Sequence, residues 1–204
     1  MFPRGIIFDL DGTLVDSGLD FDLMRSEMGI TTGHTILEAL EQMSPAEAER
    51  MWRIVAEHEL RGVARATVLP GVREFLHDLA QRGIRRGVLT RNSRASALAT
   101  LSRLELEVET VVAREDGPVK PDPAGVQRIC REWQLDPRHC VMVGDYRFDI
   151  EAGRQAGART ILFIGASDRH GMLPGETADL VLASFAPAEI FWQWAGQIAL
   201  GANP

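Results

Sequence analysis

The 204-residue sequence predicts a doubly wound α/β fold, in which helices cover both faces of a parallel sheet. Short runs rich in Val and Ile recur along the chain, and amphipathic stretches lie between them. The apolar residues of each run are continuous rather than alternating, which is typical of strands that are buried on both faces. Strands that alternate with helices in this order form doubly wound sheets.

Six apolar runs are predicted to be strands, and each is followed by small, polar or acidic residues. They span residues 5–8, 86–89, 109–113, 140–143, 159–164 and 179–183. Ligands of doubly wound sheets bind beyond the carboxyl ends of the strands. The residues that follow each run are therefore the first candidates for a functional site.

The helices between the strands are indicated by their end signals. Asp122 and Pro123 form an N-cap followed by proline at the first helical position, which predicts a helix to about Trp133. A second helix is predicted to begin after Pro70 and to end at Gly83, because its apolar residues recur at helical spacing.

One long stretch, between Asp16 and Val68, has no strand signal. Asp20 can cap a helix that ends at Met28, and Ser44 begins a capping box that opens another helix. A stretch of this length is too long for an ordinary connection between elements. We therefore predict a small all-helical cap, residues 16–68, inserted after the first strand into a core domain formed by residues 1–15 and 69–204.

Composition limits the class of protein and of partner. The formal charge of −7 repels phosphate polymers and anionic lipid surfaces, so we expect no nucleic-acid or membrane partner, whereas a small anionic substrate is allowed. The two cysteines lack the spacing of a metal or redox motif and are expected in the core of a protein from a reducing compartment. Because the sequence shows neither a leader nor a long apolar run, we expect a cytoplasmic protein. We also expect it to be a monomer or a weak homodimer.

Polar residues follow four of the predicted strands, at the edge where ligands bind. They are Asp9, Asp11 and Gly12 after the first strand, Thr90, Arg91 and Asn92 after the second, Lys120 after the third, and Asp145 and Asp149 after the fourth. Carboxylates brought together would repel one another, so a cation explains their cluster most simply. An oxygen-rich ligand set without His or Cys favours Mg²⁺.

This set of groups favours phosphoryl transfer. A metal ion, Lys120 and the Thr90 hydroxyl could hold the oxygens of a phosphoryl group. Residues i and i+2 of an extended segment point to the same side, so Asp9 could attack phosphorus while Asp11 handles the proton of the leaving group. Lys120 is the single lysine among 22 basic residues, and it falls where this chemistry requires a compact ammonium.

Four motifs, in this order, resemble those of the haloacid dehalogenase superfamily, in its phosphoglycolate phosphatase-like group with a small helical cap. They begin at Asp9, Leu89, Lys120 and Val143 and read Asp-x-Asp-Gly-Thr-Leu-Val, Leu-Thr-Arg-Asn, Lys-Pro-Asp-Pro and Val-Gly-Asp-x-x-x-Asp. The resemblance implies a Rossmann-like core and a Mg²⁺-dependent phosphatase that acts on a small phosphorylated metabolite. The Thr-Arg-Asn continuation of the second motif departs from many relatives and leaves the roles of the Arg91 and Asn92 side chains open.

The resemblance also implies roles for individual residues. Asp9 would form an aspartyl-phosphate and bind the metal, and Asp11 would act as general acid and base. The carbonyl oxygen of Asp11 and the carboxylate of Asp145 would complete the protein ligands, and Asp149 would either hold one of these ligands or contact the metal through a bridging water. Thr90 and the Arg91 backbone would hold phosphate oxygens, and Lys120 would join the phosphoryl group to Asp9.

Several other functions share parts of this pattern of residues. A dehalogenase would lack the acid at position 11, and a phosphonoacetaldehyde hydrolase would need a cap lysine, which is absent. A sugar phosphomutase keeps both aspartates and stays open. A receiver-like signalling domain is disfavoured because its acceptor follows the third strand. A substrate carboxylate could be bound by Arg25 in the cap, and Asn92 could also contact substrate. We expect His34 on a solvated or partly buried helix face and His170 in a solvated loop.

Overall fold

A six-stranded parallel sheet forms the centre of the protein in the computed structural model, which describes residues 2–30, 35–165 and 177–200, apart from the Glu41 side chain. Strands β1 to β8 are Gly5–Phe8, Val15–Asp16, Thr67–Val68, Arg85–Leu89, Thr110–Val112, Cys140–Gly144, Arg159–Phe163 and Leu180–Leu182. The sheet order is β5-β4-β1-β6-β7-β8, and each neighbouring pair is parallel. The predicted α/β fold class is confirmed.

The six predicted strands match these sheet strands to within one residue at either end. Every residue of β1 and β6 is buried, which explains why their apolar residues are continuous. Alternate residues of β1 reach two separate hydrophobic clusters: Ile6 and Phe8 lie in one, and Ile7 lies in the other. The sheet is therefore covered on both faces.

Eight α-helices and two short 3₁₀ helices, Arg114–Asp116 and Pro137–His139, accompany the strands in the described part of the chain. Helices α1 to α8 are Phe21–Met28, Ile36–Glu41, Pro45–Arg65, Val72–Gln81, Arg94–Arg103, Ala124–Trp133, Arg147–Ala156 and Glu189–Ala199. Helix α6 begins one residue later than predicted, because Pro123 is its N-cap and the Asp122 carboxylate accepts from the Ala124 N–H at 2.8 Å. Among these helices, none combines the length and apolar character needed to cross a bilayer.

Helices α1, α2 and α3 form a small unit over the carboxyl edge of the sheet. Its hydrophobic cluster is separate from the two that cover the sheet and contains Met24, Met28, Ile36, Leu40, Met51 and Val55. Asp20 caps α1, and Ser44 and Glu47 form the predicted capping box of α3. We propose that this unit is the cap domain and that it spans residues 16–68.

Two short strands mark the places where the chain enters and leaves the cap. β2 and β3 pair in antiparallel fashion, with Val15 opposite Val68 and Asp16 opposite Thr67. The expectation that this stretch holds no strand was therefore wrong at its two ends. Strands of two residues are too short to show a periodic pattern, so the sequence does not reveal them.

Candidate active site

The loop after β1 carries two carboxylates at the centre of the sheet's carboxyl edge. The Asp9 N–H donates to the carbonyl of Val143 at 2.8 Å, which continues the pairing of β1 with β6. Gly12 has φ +80°, and a Cβ there would lie 2.2 Å from Asp145 Oδ2. Only glycine allows both this backbone conformation and this close approach.

Lys120 lies between two carboxylates in the interior of the site. Its Nζ is 2.6 Å from Asp9 Oδ1 and 2.6 Å from Asp149 Oδ1, and the side chain is 3% exposed. Burial alone would lower the pKa of Lys120, but Asp149 and Asp9 raise it above its ordinary value. The ammonium is therefore held in its charged form beside Asp9.

Asp149 is held through both of its carboxylate oxygens. Oδ1 accepts from Lys120, and Oδ2 accepts from the N–H of Tyr146 at 3.1 Å. A Cβ on Gly144, at the end of β6, would lie 2.1 Å from Asp149 Cγ, so the close approach of this side chain requires glycine there. The geometry makes Asp149 an anchor for Lys120.

Three carboxylates at this edge form a cluster that could hold a divalent cation. Each of Asp9, Asp145 and Asp149 offers an oxygen that lies within 4.8 Å of the others. Burial, followed by the charges of Asp9 and Asp149, raises the pKa of Asp145 to about 8. A cation would offset this repulsion, so the residues fit a metal site of hard oxygen ligands.

Asp11 lies in a different environment from Asp9. Burial raises its pKa to about 6, a hydrogen bond with Ser17 opposes the shift, and the charge of Asp9 adds to it. Its Oδ2 also accepts from Nδ2 of Asn92, so the Asn92 side chain, whose role was open, contacts Asp11. Asp11 is thus a carboxyl group that loses its proton near pH 6 rather than near the ordinary value of 3.8.

The loop after β4 supplies the residues expected to hold phosphate. Thr90 is buried, and its hydroxyl oxygen accepts from the Asn92 N–H at 3.1 Å. The Arg91 side chain points to the cap, where Nη2 donates to Glu38 Oε1 at 2.6 Å. The Arg91 side chain, whose role was also open, therefore connects the core to the cap.

Glu59, on cap helix α3, makes several contacts with the core that the sequence does not predict. Its Oε2 accepts from the hydroxyls of Ser93 at 2.5 Å and Ser96 at 3.0 Å, and its Oε1 accepts from Arg114 Nη1 at 2.6 Å. Arg114 Nη1 also donates to the carbonyl of Arg91 at 3.1 Å. Glu59 therefore attaches the cap directly to the loop that follows Thr90.

One cavity of about 560 Å³ lies between the cap and the carboxyl edge of the sheet, and every predicted site residue lines it. These residues are Asp9, Asp11, Arg25, Thr90, Arg91, Asn92, Lys120, Asp145 and Asp149. Arg25 reaches the cavity from α1 and pairs with Asp22. The residues His34 and His170 lie outside the described part of the chain.

Comparisons with known proteins agree with this geometry. The sequence model of the haloacid dehalogenase-like hydrolase family matches residues 3–157. A haloacid dehalogenase-like hydrolase domain-containing protein of Arabidopsis thaliana is 33% identical over 180 residues, covering 82% of this chain and 73% of the relative. A phosphoglycolate phosphatase of Rhodospirillum rubrum is 28% identical over 190 residues, covering 78% of this chain and 79% of the relative.

A solved structure shows the same fold. The crystal structure of a hydrolase from Pseudomonas syringae superposes with a TM-score of 0.76 at 21% identity, covering 93% of this chain and 98% of that one. The family-model match and the 33% identical relative confirm the resemblance inferred from the four motifs, and with it the prediction of an enzyme. The chain belongs to the haloacid dehalogenase-like hydrolase family.

Proposed function

We propose that the protein is a Mg²⁺-dependent phosphatase that hydrolyses a small phosphomonoester through an aspartyl-phosphate on Asp9. The observation that carries the proposal is the position of Lys120, whose ammonium lies 2.6 Å from Asp9 Oδ1 and is held by Asp149. A cation fixed beside a carboxylate can draw an anionic phosphoryl group toward that carboxylate. Phosphatase relatives, including the one from Rhodospirillum rubrum, support the same reaction.

Three groups from this chain would hold the phosphoryl oxygens. They are the ammonium of Lys120, the hydroxyl of Thr90 and the backbone N–H of Arg91. The first two are buried, where a hydrogen bond or a charge contact is stronger than in water. Because all are fixed before substrate arrives, they stabilise the transition state without reorganisation.

Asp9 and Asp11 would divide the covalent steps between them. An oxygen of Asp9 attacks phosphorus, the ester P–O bond breaks, and Asp11 gives its proton to the departing alkoxide. Asp11 then takes a proton from a water molecule that attacks the aspartyl-phosphate, which releases phosphate and restores Asp9. The pKa of about 6 for Asp11 suits a group that must both give and take a proton near neutral pH.

The acidic cluster would hold Mg²⁺ through Asp9, Asp145 and the carbonyl oxygen of Asp11. When bound, the ion supplies positive charge that balances the phosphoryl oxygens and the nucleophilic carboxylate. Asp149 would contact it through a bridging water, because both oxygens of Asp149 already accept hydrogen bonds from Lys120 and Tyr146. An ion with oxygen ligands that keeps several waters fits Mg²⁺.

The test is phosphate release from p-nitrophenyl phosphate by the wild type and by Asp9→Asn. We expect release that requires Mg²⁺, stops with a chelator and falls at least about a thousandfold in the variant, because the nucleophile is gone. Asp136→Asn is the matched control, since this exposed residue pairs with Arg138 and does not line the cavity. Substantial activity in Asp9→Asn, or transfer of phosphate within a hexose without free phosphate, would contradict the proposal.

A further inference from the structure

The two ends of the cavity between cap and sheet differ in chemistry. The core end carries the carboxylates, Thr90 and Lys120. The opposite wall, which we call the cap wall, is formed by side chains from the cap and the segment that leads into it. Its apolar members are Leu19, Phe21, Met24, Ile36, Leu37 and Val55.

The charged groups near the cap wall already have partners. Arg25 pairs with Asp22, and Arg91 pairs with Glu38 at 2.6 Å. Arg114 pairs with Glu59 at 2.6 Å. Each guanidinium among the described lining residues thus has a carboxylate partner. A second anionic group on a substrate would therefore compete with these carboxylates for the guanidiniums.

Hydroxyl-rich substrates would find few partners on the same wall. Glu59 already accepts from two serines and Arg114, and Ser17 is engaged with Asp11. Among the described residues of the cap wall, the available polar groups are the Thr35 hydroxyl, the second carboxylate oxygen of Asp16 and the remaining N–H groups of Arg25. A sugar body would therefore bury several hydroxyls against carbon, and each would lose its hydrogen bonds to water.

We propose, on the basis of the phosphatase function, that the substrate is a phosphomonoester whose alcohol part is a compact apolar body, alkyl or aromatic. The body would replace water against the six apolar side chains of the cap wall while the phosphate lies at Lys120. The cavity, of about 560 Å³, is within the range that holds small organic ligands. Neither a second anionic group nor a row of hydroxyls is part of this substrate class.

The test compares two phosphate esters of the same shape. Cyclohexylmethyl phosphate and glucose 6-phosphate both carry a six-membered ring on a CH₂–O–phosphate group and differ mainly in the ring hydroxyls. We expect kcat/KM for cyclohexylmethyl phosphate to be at least about tenfold higher, since an apolar pocket discriminates moderately, by up to about a hundredfold, against an added hydroxyl. Phosphoglycolate, with its second anionic group, should be the poorer substrate by a similar factor.

A pair of variants locates the preference on the cap wall. Leu37→Gln places an amide among the apolar side chains, and we expect it to raise KM for cyclohexylmethyl phosphate and to narrow its advantage over glucose 6-phosphate. Leu23→Gln makes the same change on α1 at a side chain that is 46% exposed and does not line the cavity. We expect this control to leave both substrates unchanged.

The possible results separate this inference from the function on which it rests. If glucose 6-phosphate or phosphoglycolate is hydrolysed as well as cyclohexylmethyl phosphate, the apolar substrate class is wrong and the phosphatase function stands. If the preference is present but Leu37→Gln and Leu23→Gln alter it equally, the cap wall is not its source. Failure to release phosphate from any ester, including p-nitrophenyl phosphate, would overturn the phosphatase function itself.

Discussion

Glu59 Oε1 lies 2.6 Å from Arg114 Nη1, so a carboxylate on a cap helix and a guanidinium on the core form an ion pair across the boundary between the two. Glu59 is 4% exposed, and Arg114 is 16% exposed. Arg114 also lies over the ring of Trp52, another residue of helix α3. The contact is therefore a buried one, which positions the cap relative to the loop after Thr90.

Removing the charge of Glu59 should destabilise the protein. We expect Glu59→Gln to lower the free energy of unfolding by about 2–4 kcal/mol, because Arg114 would remain buried without its counter-charge. Glu57→Gln is the control on the same helix, since its carboxylate is 67% exposed and pairs with Arg61 at 3.2 Å. It should change stability by less than about 1 kcal/mol. Denaturant unfolding followed by circular dichroism measures both.

The ion pair itself is tested by a double-mutant cycle. Glu59→Gln, Arg114→Gln and the double variant should give a coupling energy of about 1–3 kcal/mol, because the two residues are in direct contact. Additive effects of the two single changes would mean that the 2.6 Å contact does not contribute to stability.

Lys120→Arg should lose most of the activity although it preserves charge. The ammonium is a compact donor held between Asp9 and Asp149, and a planar guanidinium cannot occupy the same point. We expect kcat/KM for p-nitrophenyl phosphate to fall by at least about a hundredfold. Turnover near that of the wild type would refute the proposed geometry.

The pH dependence should report the protonation of Asp11. Its pKa is raised to about 6, so the carboxyl is protonated below pH 6 and loses its proton as pH rises through that value. We expect kcat/KM for an alkyl phosphate to fall above about pH 6, because its alkoxide requires a proton. p-Nitrophenolate leaves without one, so the ratio of kcat/KM for the alkyl ester to that for p-nitrophenyl phosphate, corrected for the separate pKa of each ester's phosphate, should fall over the same range. A ratio that does not change between pH 5 and 8 would exclude Asp11 as the acid.

Metal affinity should rise with pH through the titration of Asp145. Its pKa is raised to about 8 in the metal-free protein, and a ligand carboxylate must lose its proton to bind the ion. We expect tighter Mg²⁺ binding at pH 8 than at pH 6, with proton release at pH 7 that calorimetry in buffers of different ionisation heat can count. Affinity that does not vary with pH would contradict the assignment of Asp145 as a ligand.

Asp145→Asn should make the metal-free protein more stable at neutral and higher pH. Because the folded-state pKa lies above the value of 3.8 for an unperturbed carboxyl, the wild type loses stability as pH rises from about 4 to 8. Asparagine carries no charge and avoids this loss. Thermal unfolding in a chelator should show a higher Tm for the variant at pH 8 and equal values at pH 4. Glu57→Gln is the control, because this carboxylate is 67% exposed and its change should leave Tm nearly the same at both pH values. A lower Tm at pH 8 would contradict the repulsion argued for the cluster.

The sheet and the core end of the site follow from the sequence because both depend on local patterns. Continuous apolar runs mark the buried strands, and the chain places Asp9, Thr90 and Asp145 directly after three of them. Parallel strands bring their carboxyl ends to one edge. The residues expected to meet there line one cavity in the structure.

The contacts between cap and core could not be predicted in this way. Glu59 follows Glu57 and precedes Arg61 on a helix with many charged residues, and such a pattern is typical of a solvated face. Its burial depends on how the cap rests on the loop after β4, which is a tertiary arrangement without a local signal. The pairing of Arg91 with Glu38 has the same origin.

The separate hydrophobic cluster of the cap has a consequence for how this enzyme can change. Met24, Met28 and Met51 are buried in it, and methionine side chains adapt to altered neighbours more readily than branched ones. Substitutions on the cap can thus be absorbed within the cap, while the sheet and its carboxylates keep their positions. If the cap wall selects the alcohol as proposed, selection can alter that preference without rebuilding the chemistry, and the cap is the place to redirect this enzyme by engineering.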